Sequence, residues 1–230
     1  MTNEKPERRG GSADAPRRTL LHAGGALNAR VYKVAGADGS EWIEKDFSSC
    51  PWLARNTVGR FLTWREALIL RHLGRKTDVV PSGARRVSAF CFKEAFVPGE
   101  TLRGMADRKS AEGVDPFSGK VFPPEFFDTL EKEVRTIHRA GFVHLDLHNA
   151  RNVMVGPGFK PSIVDWQSAV PTFFMLPPLR RALERIDIAG VYKFREMYRP
   201  GELGPEQARF LERSRFVRRH FWLPRIHRDR

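Results

Sequence analysis

Apolar and polar positions alternate along the first third of the chain with the period of short strands. The stretch from residue 20 to 34 reads as two strands joined by a glycine turn. Asp38-Gly39 signals a hairpin into a third strand over residues 41–47. Two further strands are predicted near residues 84–87 and 89–95. This region therefore reads as a small antiparallel sheet.

A different spacing follows the third strand. Residues 57–73 carry apolar side chains every three to four positions, which is typical of an amphipathic helix, and Gly74 lies just beyond its end. The side chains expected to be buried are Val58, Phe61, Leu62, Leu68, Ile69 and Leu73. The pattern thus adds one helix to the predicted β-rich region.

The second half of the chain has a mainly helical pattern. Residues 104–122 read as a loop-rich connector, and Pro123-Pro124 precedes a helix over residues 125–140. Its expected buried face consists of Phe126, Phe127, Leu130, Val134 and Ile137. Short apolar segments and then further helices follow at residues 143–147, 153–155, 162–165 and from 176 onward.

Composition fits one two-lobed domain. The chain has 230 residues, of which 41% are hydrophobic and 11% aromatic, so a core can form. No apolar run reaches the roughly 18 residues that a spanning helix needs, and the N-terminus lacks the apolar stretch of a signal peptide. Cys50 and Cys91 match no metal-ligand spacing and suit a reducing compartment. We expect a cytoplasmic protein.

The charge is strongly positive. The chain carries 40 Lys and Arg against 27 Asp and Glu, a net charge of +13, which favours anionic partners such as nucleotides or phosphorylated sugars. Residues 215–223 mix aromatic and cationic side chains, and two interpretations stay open. They form a solvated helix face, or an amphipathic element in peripheral contact with the anionic inner face of the membrane. No nucleic-acid motif accompanies the charge, so a nucleic-acid partner is not expected.

The segment from His144 to Asn152, followed by Asp165, is the most informative for chemistry. It places two carboxylates, Asp146 and Asp165, and the amide of Asn152 beside short strands. Phosphoryl transfer uses such a set, because one carboxylate orients the acceptor hydroxyl while a carboxylate and an amide hold magnesium.

Further candidate residues lie upstream. Lys45 ends the third strand, and Glu66 on the following helix is placed to pair with it; Glu44 and Glu41 are the rival partners. Lys33 competes with Lys45 as the phosphate-binding lysine, but it follows the glycine turn more closely. The pair Gly24-Gly25 permits a tight turn whose backbone can approach phosphate.

This ordered series resembles the protein-kinase-like superfamily, and within it the small bacterial branch of lipopolysaccharide-core sugar kinases and RIO-type kinases. The similarity spans roughly residues 20–195. It implies an α+β, minimal bilobal fold with a β-rich N-lobe and a reduced helical C-lobe. The implied lobes cover residues 19–97 and 98–204, between a disordered tail (1–18) and a basic C-terminal tail or helix (205–230).

The resemblance also implies an ATP-dependent kinase that uses Mg²⁺, with Mn²⁺ as a substitute. Asp146 would be the catalytic base, Asn152 and Asp165 the metal ligands, and Lys45 the phosphate-binding residue held by Glu66. Residues 92–102 resemble the hinge between the two lobes in this superfamily. The resemblance implies that backbone groups of Glu94 and Phe96 would meet adenine.

Four departures from the superfamily pattern matter. Asn152 follows Asp146 by six positions rather than the usual five, so Asn149 remains an alternative metal ligand. The usual Asp-Phe-Gly is Asp165-Trp166-Gln167 here, and the loop begins His-Leu-Asp rather than His-Arg-Asp. No Ala-Pro-Glu segment follows, so the long activation segment that docks peptides is reduced or missing.

The shortened segment favours a sugar or lipid-linked sugar hydroxyl as the acceptor, such as a lipopolysaccharide core. Two other functions stay open at this stage. One is a RIO-like serine/threonine protein kinase with a protein hydroxyl as acceptor. The other is a pseudokinase that binds nucleotide as a regulatory module, which the irregular spacing of the catalytic loop would explain.

Overall fold

The computed structural model describes residues 17–220, with side chains to residue 215. The predicted N-terminal tail of residues 1–18 lies outside this range, except that Arg17 and Arg18 begin the first strand. The predicted aromatic and cationic element at residues 215–223 also lies almost wholly outside the described side chains. Among the described residues, no helix has both the length and the apolar composition needed to cross a bilayer.

A five-stranded antiparallel sheet forms the N-terminal region. Its strands are β1 (Arg17–His22), β2 (Arg30–Ala35), β3 (Glu41–Asp46), β4 (Arg85–Arg86) and β5 (Cys91–Ala95). They are ordered β1-β2-β3-β5-β4, so the central β3 pairs with both β2 and β5. The predicted strands of this region are confirmed, with the last two shorter than expected.

The predicted helix is present but begins earlier and buries a different face. It consists of α1 (Trp52–Ala54), a π-helical turn (Arg55–Gly59) and α2 (Arg60–Leu73). Ile69 and Leu73 are buried as predicted, but Val58, Phe61 and Leu68 are exposed. The buried face of α2 instead comprises Thr63, Glu66, Ala67, Ile69, Leu70 and Leu73. The prediction failed because this face carries polar residues that the apolar pattern does not mark.

The C-terminal part is mainly helical. It contains α3 (Leu102–Ala111), α4 (Pro124–Arg139), α5 (Pro177–Tyr198) and α6 (Pro205–His220). The predicted helix at residues 125–140 is confirmed as α4, and all five side chains expected on its inner face are buried. The loop predicted over residues 104–122 is wrong in its first half, where α3 begins after Thr101, whose hydroxyl caps the helix by accepting from the Gly104 N–H at 2.9 Å.

Two small sheets carry the loops between the helices. One contains β6 (Glu100–Thr101), β8 (Val153–Val155) and β9 (Pro161–Ile163), and the other pairs β7 (Phe142–Val143) with β10 (Val170–Pro171). The main core cluster joins side chains from α2 and β5 to side chains from α4, α5 and these small strands. The fold is therefore α+β, with a β-rich N-terminal region and a helical C-terminal part, as predicted. The lobe boundaries stay a prediction.

Candidate active site

A buried ion pair joins the sheet to the helix α2. The Lys45 Nζ on β3 donates to the Glu66 Oε1 at 2.5 Å, and their side chains are 8% and 1% exposed. This is the pairing that the sequence predicted. The rival Lys33 lies on the neighbouring strand β2, where its Nζ is 2.6 Å from Glu41 and 3.8 Å from the centre of the Phe96 ring. The structure thus separates the two lysines clearly.

Asp165 brings the C-terminal part to the same lysine. Its Oδ1 lies 3.3 Å from the Lys45 Nζ, and its side chain is 49% exposed, so it faces both the lysine and solvent. The next residue, Trp166, is fully buried, and its backbone N–H donates to the Glu66 Oε1 at 3.3 Å. The Arg65 guanidinium donates to the carbonyl of Gln167. Helix α2 is therefore fastened to the segment that carries Asp165.

A third carboxyl group shares this environment. Glu94 on β5 is 3% exposed, and its Oε2 has no hydrogen-bond partner among the described residues. Burial raises the pKa of Glu94 to about 8; the attraction of Lys45 lowers it, and Glu66 and Asp165 each add a smaller rise. From the sequence, only the backbone of Glu94 was expected near a nucleotide, and its buried carboxyl group was not predicted.

The lysine remains charged in this cluster. Burial by itself would lower the pKa of Lys45, but the nearby Glu66, Asp165 and Glu94 carboxyl groups together raise it above its ordinary value. Burial would raise the pKa of Asp165, but Lys45 outweighs that effect and holds the pKa below its ordinary value. The site therefore presents an ammonium beside an ionised carboxylate, which suits a ligand that carries both phosphate and metal.

Asp146 and Asn152 contact each other directly. The Asn152 Nδ2 donates to the Asp146 Oδ2 at 2.7 Å and to the Asp146 backbone carbonyl at 3.0 Å. The irregular spacing of the loop thus still places this amide beside the carboxylate. Asn149 has a different role, because its Oδ1 accepts from the Arg151 N–H at 3.1 Å inside the turn. Of the two candidate amides, Asn152 is the one that meets Asp146.

The donor set fits a divalent cation that is bound together with phosphate. The Nδ2 of Asn152 is committed to Asp146, which leaves the Oδ1 of Asn152 as its ligand atom, and Asp165 adds a half-exposed carboxylate. Within residues 17–220, no cluster of three or more His, Cys, Asp or Glu could enclose a metal. Mg²⁺ is commonly held by one or two carboxylates together with substrate phosphates and water, so this sparse set is appropriate for it.

Two histidines flank Asp146. His144 is fully buried; its Nε2–H donates to the Val164 carbonyl at 3.1 Å, and its Nδ1 accepts from the Asp146 N–H at 3.4 Å. Burial lowers the pKa of His144 despite the neighbouring carboxylates, so the ring is neutral and braces the loop. His148 is 48% exposed, with its Nε2 at 3.5 Å from the Asp146 Oδ1.

Asp187 on α5 holds the backbone of the loop that carries Asp146, and no sequence pattern predicted this role. Its two carboxylate oxygens accept from the backbone N–H groups of His144 and Leu145, both at 2.8 Å. The His138 Nε2 lies 3.0 Å from the same carboxylate. Leu145 has a φ of 66°, a conformation that is costly for a side chain of its kind. Asp187 therefore stabilises a strained turn immediately before Asp146.

Helix α5 also touches the loop without a side chain between them. A Cβ built on Gly190 would lie 2.8 Å from the backbone carbonyl carbon and oxygen of Leu147. Real Cβ contacts are essentially never that short, so only glycine permits this approach. The loop that carries Asp146 therefore rests directly on the backbone of α5.

The remaining predicted site residues are those expected to contact the nucleotide through their backbone. Gly24 has a φ of 71°, and the turn is closed by the Gly25 N–H donating to the Asn28 carbonyl at 3.2 Å. An approach of Gly24-Gly25 to phosphate remains a prediction, as does a contact of the Glu94 backbone with adenine. The Phe96 N–H donates to the Glu41 carbonyl at 2.9 Å, so the sheet uses this donor, and a contact of the Phe96 carbonyl with adenine stays a prediction.

Removal of the Asp187 carboxylate should destabilise the protein strongly. We expect Asp187→Ala to lower the free energy of unfolding by about 2–5 kcal/mol, because two backbone N–H groups lose a charged acceptor. Urea unfolding followed by circular dichroism measures this. Asp128→Ala is the matched control: Asp128 is 59% exposed and pairs with Arg195, so its loss should cost about 1 kcal/mol or less. Equal losses in the two variants would contradict the role given to Asp187.

The raised pKa of Glu94 predicts a pH-dependent effect of Glu94→Gln on stability. Below pH 4.5 this carboxyl is protonated in both the folded and the unfolded chain; between pH 4.5 and 8 only the unfolded chain ionises it. The wild type therefore loses stability with rising pH across this window, and Glu94→Gln should not lose that contribution.

Thermal unfolding of both proteins between pH 5 and pH 9 tests this expectation. The advantage of Glu94→Gln should grow with pH to the order of a few kcal/mol and level off above pH 8. Glu41→Gln is the control, because this carboxylate on the neighbouring strand is 44% exposed. A pH-independent difference for Glu94→Gln would show that Glu94 is already ionised in the folded protein.

Comparison with known proteins supports the architecture. No family model matches the sequence, and no curated protein matches it. Among solved structures, the fold is similar to the crystal structure of the Rio2 kinase from Chaetomium thermophilum, with a TM-score of 0.57 and 16% sequence identity. The match covers 84% of this chain but only 62% of the Rio2 chain, so the chain spans less than two thirds of that protein. At this identity the likeness establishes a protein-kinase-like fold.

Proposed function

We propose that this protein is an ATP-dependent phosphotransferase that transfers the γ-phosphate to a hydroxyl acceptor. The observation that carries the proposal is the convergence of Lys45, Glu66 and Asp165 in one ion cluster. A second pair, Asp146 and Asn152, lies on the loop that precedes Asp165 in the chain. This set supplies a cation for phosphate, a carboxylate and an amide for metal, and a base for the acceptor.

Lys45 would bind the α- and β-phosphates while Glu66 holds its ammonium in place. Its contact with Asp165 at 3.3 Å places the proposed phosphate-binding and metal-binding groups side by side. Asp165 and Asn152 would hold Mg²⁺, with Mn²⁺ as a substitute, and the ion supplies neutralisation of the charge that develops on the phosphates. Most of the catalysis would then come from positioning and charge stabilisation.

Asp146 would orient the acceptor hydroxyl and take its proton. The Asn152 amide fixes its Oδ2 at 2.7 Å, and its side chain is 30% exposed, so the carboxylate is both held and accessible. The neutral ring of His144 braces the backbone beneath it. A base held by hydrogen bonds and open to solvent on one side suits an acceptor that enters from outside.

We favour a sugar or lipid-linked sugar as the acceptor. Only residues 166–176 separate Asp165 from the start of α5, which leaves little chain for a peptide-docking segment. A RIO-like serine/threonine protein kinase is the second candidate, which the structural likeness to a Rio2 kinase favours. A pseudokinase is the third, but the direct contact of Asp146 with Asn152 removes its main support, the irregular loop spacing.

Turnover of ATP separates these functions. We expect Asp146→Asn to lower turnover by about 10²–10⁴-fold with nucleotide binding retained, because it loses the base but keeps its shape. Asp165→Asn should instead abolish the strengthening of nucleotide binding by Mg²⁺, measured by calorimetry with and without the ion. Asp128→Asn on the surface of α4 is the control and should leave both properties unchanged.

ATP turnover that survives both Asp146→Asn and Asp165→Asn would contradict the proposed mechanism. Nucleotide binding without turnover on any acceptor would favour the pseudokinase. Incubation of the protein with labelled ATP and a cell-envelope extract, followed by separation of glycolipid from protein, identifies the acceptor class. Label in protein alone would favour the RIO-like alternative.

A further inference from the structure

Large apolar side chains lie exposed along one side of the helical stretch from residue 52 to 73. They are 39% to 69% exposed and recur mostly every three to five positions: Trp52, Leu53, Val58, Phe61, Trp64 and Leu68. The rings of Phe61 and Trp64 are 6.3 Å apart. Single exposed apolar residues need no explanation, but a continuous row of them marks an interaction surface.

A second exposed apolar group adjoins the first. It follows β10 and consists of Phe173, Phe174, Leu176 and Leu179, which are 52% to 99% exposed. The ring of His72, one helical turn beyond Leu68, lies 6.2 Å from the ring of Phe173, which connects the two groups. We call these two groups, together with the exposed arginines of the same two segments, the arginine–aromatic face.

Positive charge exceeds negative charge around these side chains, although the exposed Asp78 lies just beyond the helical stretch. Residues 47–77 contain six Lys or Arg and a single acid, Glu66, which is buried against Lys45. No acid occurs between Asp165 and Glu184, where Arg180 and Arg181 are exposed. The cations at residues 60, 71 and 75 are likewise exposed. The surface is therefore both apolar and cationic.

The arginine–aromatic face borders the candidate active site. Arg65 on α2 donates to the carbonyl of Gln167, two residues after Asp165. The same guanidinium lies 5.2 Å from the centre of the Phe61 ring, which is part of the face. The exposed row is thus fixed to the segment that carries a proposed metal ligand.

We propose that the arginine–aromatic face docks on the surface of an anionic lipid bilayer. Trp, Phe and Leu side chains enter the boundary between headgroups and acyl chains, and nearby arginines bind lipid phosphates. Each such cation adds attraction to an anionic leaflet, whereas acids would oppose it, and this face exposes none within the two segments. The proposal is independent of catalysis, because docking requires no turnover.

Other occupants fit the same surface less well. In a symmetric dimer, this face of one copy would meet the same face of the other, which would bring arginines of both copies together. The net charge of +13 makes such self-association less favourable. A protein partner would have to supply both apolar contacts and acidic groups, and it forms one outcome of the test.

Flotation of the full chain with lipid vesicles tests the proposal. The protein should bind vesicles of phosphatidylcholine mixed with phosphatidylglycerol, and bind vesicles of phosphatidylcholine alone much less. The double variants Trp52→Ser/Trp64→Ser and Phe174→Ser/Leu176→Ser should each reduce binding by about tenfold or more, because the inserted apolar area is lost. Arg60→Gln/Arg71→Gln should reduce binding only to the anionic vesicles.

Matched controls keep the test specific. Val87→Ser and Phe117→Ser change apolar residues that are 54% and 47% exposed outside this face, and they should bind as the wild type does. Arg209→Gln/Arg213→Gln removes exposed charge from α6 and tests the basic tail. Thermal unfolding of every variant shows whether it is folded, and the exposed positions predict little change.

Five outcomes would overturn the proposal. The first is absence of vesicle binding at any lipid charge, and the second is undiminished binding by both serine double variants. The third is a dimer in size-exclusion chromatography that these variants dissolve, which would assign the face to a second copy. Binding lost only in the α6 variant would place membrane contact in the tail instead. A soluble acidic protein that competes fully with vesicles would favour a protein partner.

Discussion

The buried side chain of a lysine keeps its charge only where carboxylates replace the hydration that it has lost. This requirement determines how the site is arranged. Lys45 meets Glu66 from helix α2 and Asp165 from the segment after β9, so three separate elements meet at one ammonium. Glu94 adds a third carboxyl that is held mainly protonated at neutral pH. Any shift of α2 or of the Asp165 segment would leave a charge uncompensated, and a buried unpaired charge is costly.

Buried hydrogen bonds in the same way hold the loop that carries Asp146. The Asp187 carboxylate accepts hydrogen bonds from the backbone N–H groups of His144 and of the strained residue Leu145. The Nδ1 of the neutral His144 ring accepts from the Asp146 N–H. Asn152 then uses its amide to fix the side chain of Asp146. The Asp146 carboxylate is thus positioned by an amide of its own loop, and the backbone of that loop is fastened to α5 by Asp187.

Elements with a clear apolar period could be predicted from the sequence, and those with polar inner faces could not. The five apolar residues of the buried face of helix α4 were all predicted because they recur with the helical period, whereas the buried His138 was not. The buried side of α2 was misassigned because it carries Thr63 and Glu66, while its exposed side carries Phe61 and Trp64. Lys45, Glu66 and Asp165 could be predicted from ordered spacing. Asp187 could not, because an isolated aspartate within a helix has no neighbouring motif to mark it.

The contact between Gly190 and Leu147 has a consequence for how the protein can vary. The two backbones are in direct contact, with no side chain between them. The distance between helix α5 and the loop that carries Asp146 is therefore set by backbone atoms alone. Side chains can adapt by changing rotamer, whereas two backbones in contact cannot. A substitution that adds a side chain at Gly190 would displace the proposed base from its acceptor. Every charged group of the site would stay chemically intact.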